Sequence, residues 1–275
     1  MPTLYLVATP IGNLEDITLR ALRLLREVSL VAAEDTRTTR KLLAHFGIRQ
    51  RLVSYNEHNM RSRTPQLLAA LDKGDVALVS EAGMPGISDP GHELVVAVTD
   101  AGYPVVPVPG PSAVTTALAA SGLPTRQFTF VGFLPRRAGE RRRLLASLAV
   151  EPRTVVAFET PHRLRQTLAD MLSAWGDRRI AVCRELTKAF EEVFRGRIAE
   201  ALEHFVEPRG EFTLVIEGGQ AAPPPALDEA VREHLRRLKE GGVSPRQAVS
   251  RVARSRGLPR REVYRVWVEI QSRTR

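Results

Sequence analysis

In the first part of the chain, short apolar runs alternate with stretches whose apolar residues recur every three or four positions. Residues 4–8 read as a buried strand, and 18–28 as an amphipathic helix in which Leu19, Leu22, Leu25 and Val28 recur at three-residue steps. The rhythm continues with a strand at 30–33, a helix at 38–46 stopped by Gly47, a strand at 52–55 and a helix at 64–71. A strand at 76–80, a helix at 92–101 and a strand at 104–108 follow. Strands separated by helices, with few hairpin signals, predict a mostly parallel sheet covered by helices on both faces.

Past Gly122-Leu123-Pro124 the pattern changes. Strand-like runs at 128–133, 154–158, 180–184, 192–196 and 212–217 are only partly separated by helices, the clearest at 162–175, so a mixed sheet is expected. Residues 1–121 and 122–218 are therefore read as two α/β domains with a cleft between them. The Gly- and Pro-rich stretch 219–225 has the composition of a linker. Residues 226–275 form a small helical module, with helices at 227–239, from the cap Ser244-Pro245 to about 255, and at 260–269. Short helices joined by a glycine-containing turn resemble a helix-turn-helix, and any three-helix bundle gives much the same pattern.

Three of the apolar strands break into loops rich in glycine and proline: Ala8-Thr9-Pro10-Ile11-Gly12-Asn13, Glu81-Ala82-Gly83-Met84-Pro85-Gly86-Ile87-Ser88-Asp89-Pro90-Gly91 and Pro109-Gly110-Pro111-Ser112-Ala113. Glycine lets backbone approach a ligand and proline fixes the neighbouring turns. One such loop is a tight connection; three of them at the ends of parallel strands point to a ligand held at the carboxyl edge of a sheet.

Composition narrows the class. With 275 residues, 43% hydrophobic and 5% aromatic, the chain can bury a sizeable core. Met1-Pro2-Thr3-Leu4 leads into a strand without a basic leader, and no apolar run nears the roughly 18 residues that span a bilayer, so a cytoplasmic location and no membrane partner are expected. The lone Cys183, in a strand-like run, reads as a small core residue, and the histidines show no metal-ligand spacing. The net charge of +9 is concentrated: residues 226–275 hold 13 Lys/Arg against 6 Asp/Glu. Such a cluster suits a polyanion, most commonly nucleic acid, through Arg251, Arg254, Arg260 and Arg261, although an arginine-rich surface also serves solubility.

The three loops, together with Glu34-Asp35-Thr36-Arg37, Glu159-Thr160-Pro161-His162-Arg163 and Arg184-Glu185-Leu186-Thr187-Lys188, resemble in order the tetrapyrrole-methylase superfamily of S-adenosylmethionine-dependent methyltransferases, and within it the branch that acts on ribosomal RNA. The segments span residues 4–218. Glu81 and Met84 stand where that family more usually has Asp and Thr. The resemblance implies a two-domain α/β fold with S-adenosylmethionine folded in the interdomain cleft, held largely by main-chain atoms of Pro10, Gly83, Met84, Pro85, Ile87, Ser112 and Ala113, without metal. It also implies a homodimer, and 2′-O-ribose methylation of a cytidine in the 16S RNA of the small ribosomal subunit. Methylation of a tetrapyrrole on carbon is the alternative within the fold, and a DNA-binding regulator the alternative outside it; neither gives the basic tail and the polar clusters a joint role.

For ribose methylation, positioning dominates and a general base assists. Glu34 or Asp35, directly after a buried strand, is placed to take the proton, and Arg37 to hold a phosphate; the competing reading is that they cap the helix that follows. Glu185 and Lys188 form a second pair, Lys188 either steering RNA phosphate or, with a lowered pKa, assisting deprotonation; a surface salt bridge is the plainer reading. His162 reads as a helix-start residue and His58 as a weak RNA contact. Arg136, Arg137, Arg141, Arg142 and Arg143 read as a solvated helix face that would extend a phosphate track if it faces the cleft.

Overall fold

The computed structural model describes residues 1–219, 229–256 and 258–272. The expected linker residues 220–225, and residues 226–228, 257 and 273–275 of the expected module, lie outside the described residues. The buried apolar runs become β1 (Leu4–Val7), β2 (Leu30–Ala33), β3 (Leu52–Ser54), β4 (Val76–Val79) and β5 (Val105–Val108), and the amphipathic stretches between them become α1 (Leu19–Glu27), α2 (Thr36–His45), α3 (Met60–Leu71) and α4 (His92–Asp100). These strands form one parallel sheet in the order β3-β2-β4-β1-β5. Alternation along each strand feeds two cores. Val7, Val31, Ala33, Ala77 and Val79 meet Leu24 and Leu25 of α1 and Leu42 and Leu43 of α2. On the opposite face, Leu4, Leu30, Ala32, Val76 and Leu78 meet Leu67 and Leu71 of α3 and Leu94 and Val98 of α4. Each fully buried Leu contributes about 1.5–3 kcal/mol of hydrophobic stabilisation.

After α5 (Ala113–Ser121) come β6 (Phe128–Phe133), α6 (Ala138–Leu148), β7 (Thr154–Glu159), α7 (Pro161–Trp175), β8 (Arg179–Arg184), β9 (Glu192–Arg197), α8 (Ile198–His204) and β10 (Phe212–Ile216). Their sheet, ordered β6-β7-β10-β8-β9, is mixed as expected: β6 and β7 run parallel and the other pairs antiparallel. One face packs on α6, α7 and α8 around Leu145, Leu164, Leu168, Met171 and Trp175. The other face receives α5 and the first loop through Ile11, Val114, Ala117, Leu118, Val156, Ala181, Cys183 and Val215, which fastens the second sheet to the first. Cys183 is 1% exposed, and burial pushes its thiol up to about 11, as befits an unreactive core residue.

By packing, the chain divides into two compact units, residues 1–149 with 153–218 and residues 150–152 with 219–275. In the second unit α9 (Glu229–Glu240), α10 (Pro245–Arg256) and α11 (Arg260–Ser272) gather around their own core of Val231, Leu235, Val252, Val263, Val266 and Trp267. Among the described residues, no helix is long and apolar enough to cross a membrane.

Some expectations need correction. Helix α2 starts at Thr36 rather than residue 38, because Asp35 accepts the Arg37 N–H at 2.7 Å and so closes the helix start two residues early. Helix α3 starts at Met60 rather than at residue 64, and it carries Pro65 inside it. The arginine run after β6 is not one solvated face: Arg141 is 3% exposed and donates through Nη2 (2.7 Å) and Nε (2.9 Å) to Oδ2 of buried Asp170, while Arg142 Nε reaches Oδ1 at 3.1 Å.

Candidate active site

Strands β5, β1 and β4 are neighbours, and being parallel they release their loops at the same end of the sheet. The loops are tied together by main chain. Thr9 N–H donates to Gly83 O at 2.9 Å and Gly83 N–H to Thr9 O at 3.0 Å, while Ala8 N–H donates to Val108 O at 3.3 Å. The Ser80 hydroxyl donates to Gly83 O at 3.2 Å and holds the glycine turn from below. Gly83 has φ +82°, a conformation that costs an L residue about 1 kcal/mol or more. A Cβ there would lie 3.7 Å from Ile11 Cγ2 and 3.8 Å from Pro111 O, in the space the three loops border. Glycine thus leaves that space to a ligand held by main-chain atoms. Of the residues expected around the cofactor, Pro10, Gly83 and Pro85 are buried, Met84, Ser112 and Ala113 half-buried, and Ile87 51% exposed. Ser112 begins α5 without using its side chain as a cap. This constellation fits S-adenosylmethionine.

The five expected catalytic residues fall into two groups that make no hydrogen bond or ion pair with each other. In the first, Glu34 leaves β2 and accepts the Glu81 N–H at 3.1 Å, which joins it to the glycine-rich loop. Burial raises its pKa; the Glu81 hydrogen bond opposes this, and the charges of Glu81, Glu57 and Asp35 add to the rise. Asp35 goes the other way. It receives hydrogen bonds from the Arg37 side chain (Nη2 to Oδ2, 3.1 Å) and backbone, so its carboxyl is held below its ordinary value, and it caps α2. Arg37 is fully exposed apart from that pairing.

Sequence reasoning treated Asp89 only as part of a backbone motif. The structure sets it apart: burial first, then the neighbouring Glu34 charge, push its pKa up to about 7, against a stabilising hydrogen bond with Ser80. The signal in the sequence was an acidic side chain inside a Gly/Pro loop that also carries Glu81.

The second group lies on the β8–β9 connection. Lys188 Nζ donates to Glu185 Oε1 and Glu211 Oε2, both at 2.9 Å, and the Glu211 N–H also donates to Glu185 Oε1 at 2.9 Å. Burial by itself would lower the Lys188 pKa, but the two carboxylates hold it above its ordinary value, so the reading of Lys188 as a base with lowered pKa is wrong. Glu185 is correspondingly held low by Lys188, the Glu211 amide and Arg184, in spite of its burial. Glu185 (φ +48°) and Thr187 (φ +67°) both hold left-handed backbone, a strained arrangement of the kind found at working sites. The same connection closes on the first loop: Asn13 N–H donates to Thr187 Oγ1 at 3.1 Å, and a Cβ on Gly12 would stand 2.4 Å from Lys188 Cγ. Gly12 is what permits that approach.

Elsewhere, His162 and His58 are exposed at the start of α7 and in the loop after β3. Arg251, Arg254, Arg260 and Arg261 are exposed on α10 and α11, with Arg260 hydrogen-bonded to Ser250. Among the described residues, no group of three or more His, Cys, Asp or Glu is arranged to hold a metal ion.

Fold and site together define an α/β protein with a ligand cradle of main-chain atoms at the edge of a parallel sheet, joined to a mixed sheet that brings its own polar cluster to the same loops. The chain belongs to the family described as Tetrapyrrole (Corrin/Porphyrin) Methylases, which matches residues 3–202, and it has the two-sheet fold expected of that family. It is 48% identical over 277 residues to Ribosomal RNA small subunit methyltransferase I of Synechocystis sp., covering 99% of both chains. The protein of the same name from Thermotoga maritima is 52% identical over 221 residues, 79% of this chain and 99% of that relative. Among solved structures, the uroporphyrin-III C-methyltransferase of Thermus thermophilus in complex with S-adenosylhomocysteine shares the fold, with a TM-score of 0.58, 24% identity, and 78% of this chain and 97% of that chain covered.

Proposed function

We propose that this chain transfers a methyl group from S-adenosylmethionine to the ribose 2′-hydroxyl of a cytidine in the 16S RNA of the small ribosomal subunit, acting as a homodimer in the cytoplasm. The observation that carries the reading is near full-length identity of 48% to a relative named for small-subunit ribosomal RNA methylation, combined with the three converging loops. In this reading residues 1–121 and 122–218 are the two halves of the catalytic body, and 226–275 a basic module that holds RNA.

S-adenosylmethionine, bound along Pro10, Gly83, Met84, Pro85, Ile87, Ser112 and Ala113, supplies an electrophilic methyl carbon on a sulfonium. The protein has two tasks beyond holding it. The first is alignment of the attacking oxygen, worth up to about 7–11 kcal/mol of the barrier. The second is removal of the hydroxyl proton, typically worth about 10²–10⁴-fold. Glu34 suits the second task, because a carboxylate with a raised pKa accepts a proton more readily near neutrality. Asp35 does not: its carboxyl is held low and its oxygens serve a cap. Arg37 and Lys188 steer the RNA backbone, Lys188 as a cation positioned by Glu185 and Glu211. Arg251, Arg254, Arg260 and Arg261 contribute phosphate contacts.

Mass analysis of ribose-methylated nucleosides in ribosomal RNA, from cells with and without the gene, tests the reading. Loss of one 2′-O-methylcytidine from small-subunit RNA is the expected result. An unchanged RNA with a missing methylated tetrapyrrole overturns it.

A further inference from the structure

Strand β6 ends in an irregularity that has no role in the sheet. Its pairing with β7 is regular from Phe128 to Phe130, then shifts, so that Phe133 pairs with Phe158. Phe130 and Phe133 are three residues apart, a spacing that puts side chains on opposite faces of a regular strand. Both rings nevertheless meet Phe158, at 5.0 Å and 5.4 Å between centroids. The shift is made at Gly132, which takes φ +65° and turns the following side chain, as a bulge does. Gly132 also lies against the glycine-rich loop, since a Cβ on it would stand 2.8 Å from Ser88 Oγ. The bulge thus delivers an aromatic ring beside the ligand loops and leaves it 55% exposed.

The chain that follows adds charge. Leu134 is 2% exposed and anchors the turn, and Arg136 is exposed. Among the described residues no side chain pairs with the Arg136 guanidinium, although its own carbonyl accepts from Arg141 Nη1. Its neighbours differ: Arg137 pairs with Glu140, and Arg141 and Arg142 are committed to Asp170. An exposed ring three residues from an unpaired guanidinium, at the rim of the site, matches the two parts of an unstacked nucleotide: a base face and a phosphate.

We propose that Phe133 and Arg136 seat the nucleotide being methylated, the ring stacking on its base and the guanidinium holding an adjacent phosphate, so that the ribose hydroxyl is presented to the loops. This rests on the functional reading above. A base splayed out of its RNA stack finds a replacement surface in a ring fixed by Phe158.

The test uses full-length protein and purified small subunits lacking the modification, with transfer of labelled methyl as the readout and S-adenosylhomocysteine affinity measured in parallel. Phe133→Ala is expected to lower kcat/KM for subunits by about 5- to 150-fold, the range for loss of one base-stacking contact, and Phe133→Trp to restore most of it. Arg136→Gln is expected to weaken subunit binding and reduce the slope of log affinity against log salt by about 0.7. Cofactor affinity and sedimentation behaviour stay unchanged in all three. An unaltered kcat/KM for Phe133→Ala, a parallel loss of cofactor affinity, or a shift in oligomeric state each overturns the proposal while leaving the function intact. A wild-type protein that methylates no subunit overturns the functional reading and this proposal with it.

Discussion

Replacing Asp89 by Asn removes a half-buried acid that feels the charges of Glu34 and Glu81, and the consequence can be worked from its surroundings. The Asp89 pKa rises from 3.8 to about 7 on folding, mainly through burial and secondarily through Glu34. The folded protein therefore keeps a proton over a pH range in which the unfolded chain has lost it, and stability falls as pH rises from near 4 to near 7. Above about 7 the loss is complete. At about 1.36 kcal/mol for each unit, the ceiling is about 4 kcal/mol. Partial exposure of the side chain screens the charge, which brings the expected penalty to roughly 2 kcal/mol. Asparagine carries no such penalty. Urea unfolding followed through Trp175 is the assay, in a Trp267→Phe background so that the helical module is silent. Asp89→Asn should be more stable than its parent at about pH 8.5 and approach it at about pH 5, the gap changing by roughly 1–3 kcal/mol between the two. In a Glu34→Gln background the change should shrink, because one cause of the shift is gone. Parallel pH profiles for the parent and Asp89→Asn would refute the assignment of a buried, high-pKa carboxyl at this position.

Other consequences can be read in the same manner. Gly83→Val should abolish cofactor binding by calorimetry while leaving a cooperatively folded chain, since it fills the space between Ile11 and Pro111 and opposes φ +82°. Asp170→Ala strands the buried Arg141 charge and should cost about 3–5 kcal/mol in denaturant unfolding; in the parent protein the Asp170 pKa is lowered, so this contribution is present above its unfolded pKa of 3.8 and is lost as pH falls through the lower folded value. Changing Arg251, Arg254, Arg260 and Arg261 together to Gln should flatten the salt dependence of subunit binding by about 0.7 for each lost phosphate contact without altering cofactor affinity.

The strands were legible because each is a short buried run bounded by turn residues, and β2 and β6 match the residues read from the sequence. The helices that escaped have physical reasons for doing so. Helix α5 reads Ala-Val-Thr-Thr-Ala-Leu-Ala-Ala-Ser and packs against the second sheet, so it has little polar face to generate a period. Helix α8 has only 7 residues, too few for a repeat to show. Arg141 was misread because a run of arginines signals solvent, whereas α6 turns residue 141 inward with Leu145, towards an acid on α7. The loops of the site were legible as backbone devices, through glycine and proline. The electrostatics were not: whether Glu34, Asp35, Asp89 or Lys188 gains or loses proton affinity depends on how far it is buried and which charged groups stand beside it, and that is a tertiary fact.

In the proposed reading the cofactor loops and Glu34 come from the first sheet and Lys188, Phe133 and Arg136 from the second, so the distance between these two groups is set by whatever fastens the sheets together. That fastening is apolar: Val114, Ala117 and Leu118 of α5, with Ile11 of the first loop, pack on Val156, Ala181, Cys183 and Val215 of the second sheet. The polar contacts at the seam, Asn13 with Thr187 and Gly12 against Lys188, sit at its edge and set local alignment. Close-packed interiors transmit small displacements rather than absorb them, and methyl transfer depends steeply on the alignment of its reacting atoms. The apolar face of α5 formed by Val114, Ala117 and Leu118 therefore bears on this alignment through packing alone. The Thermotoga maritima relative matches 79% of this chain and is itself 99% covered, so about a fifth of this chain has no counterpart there.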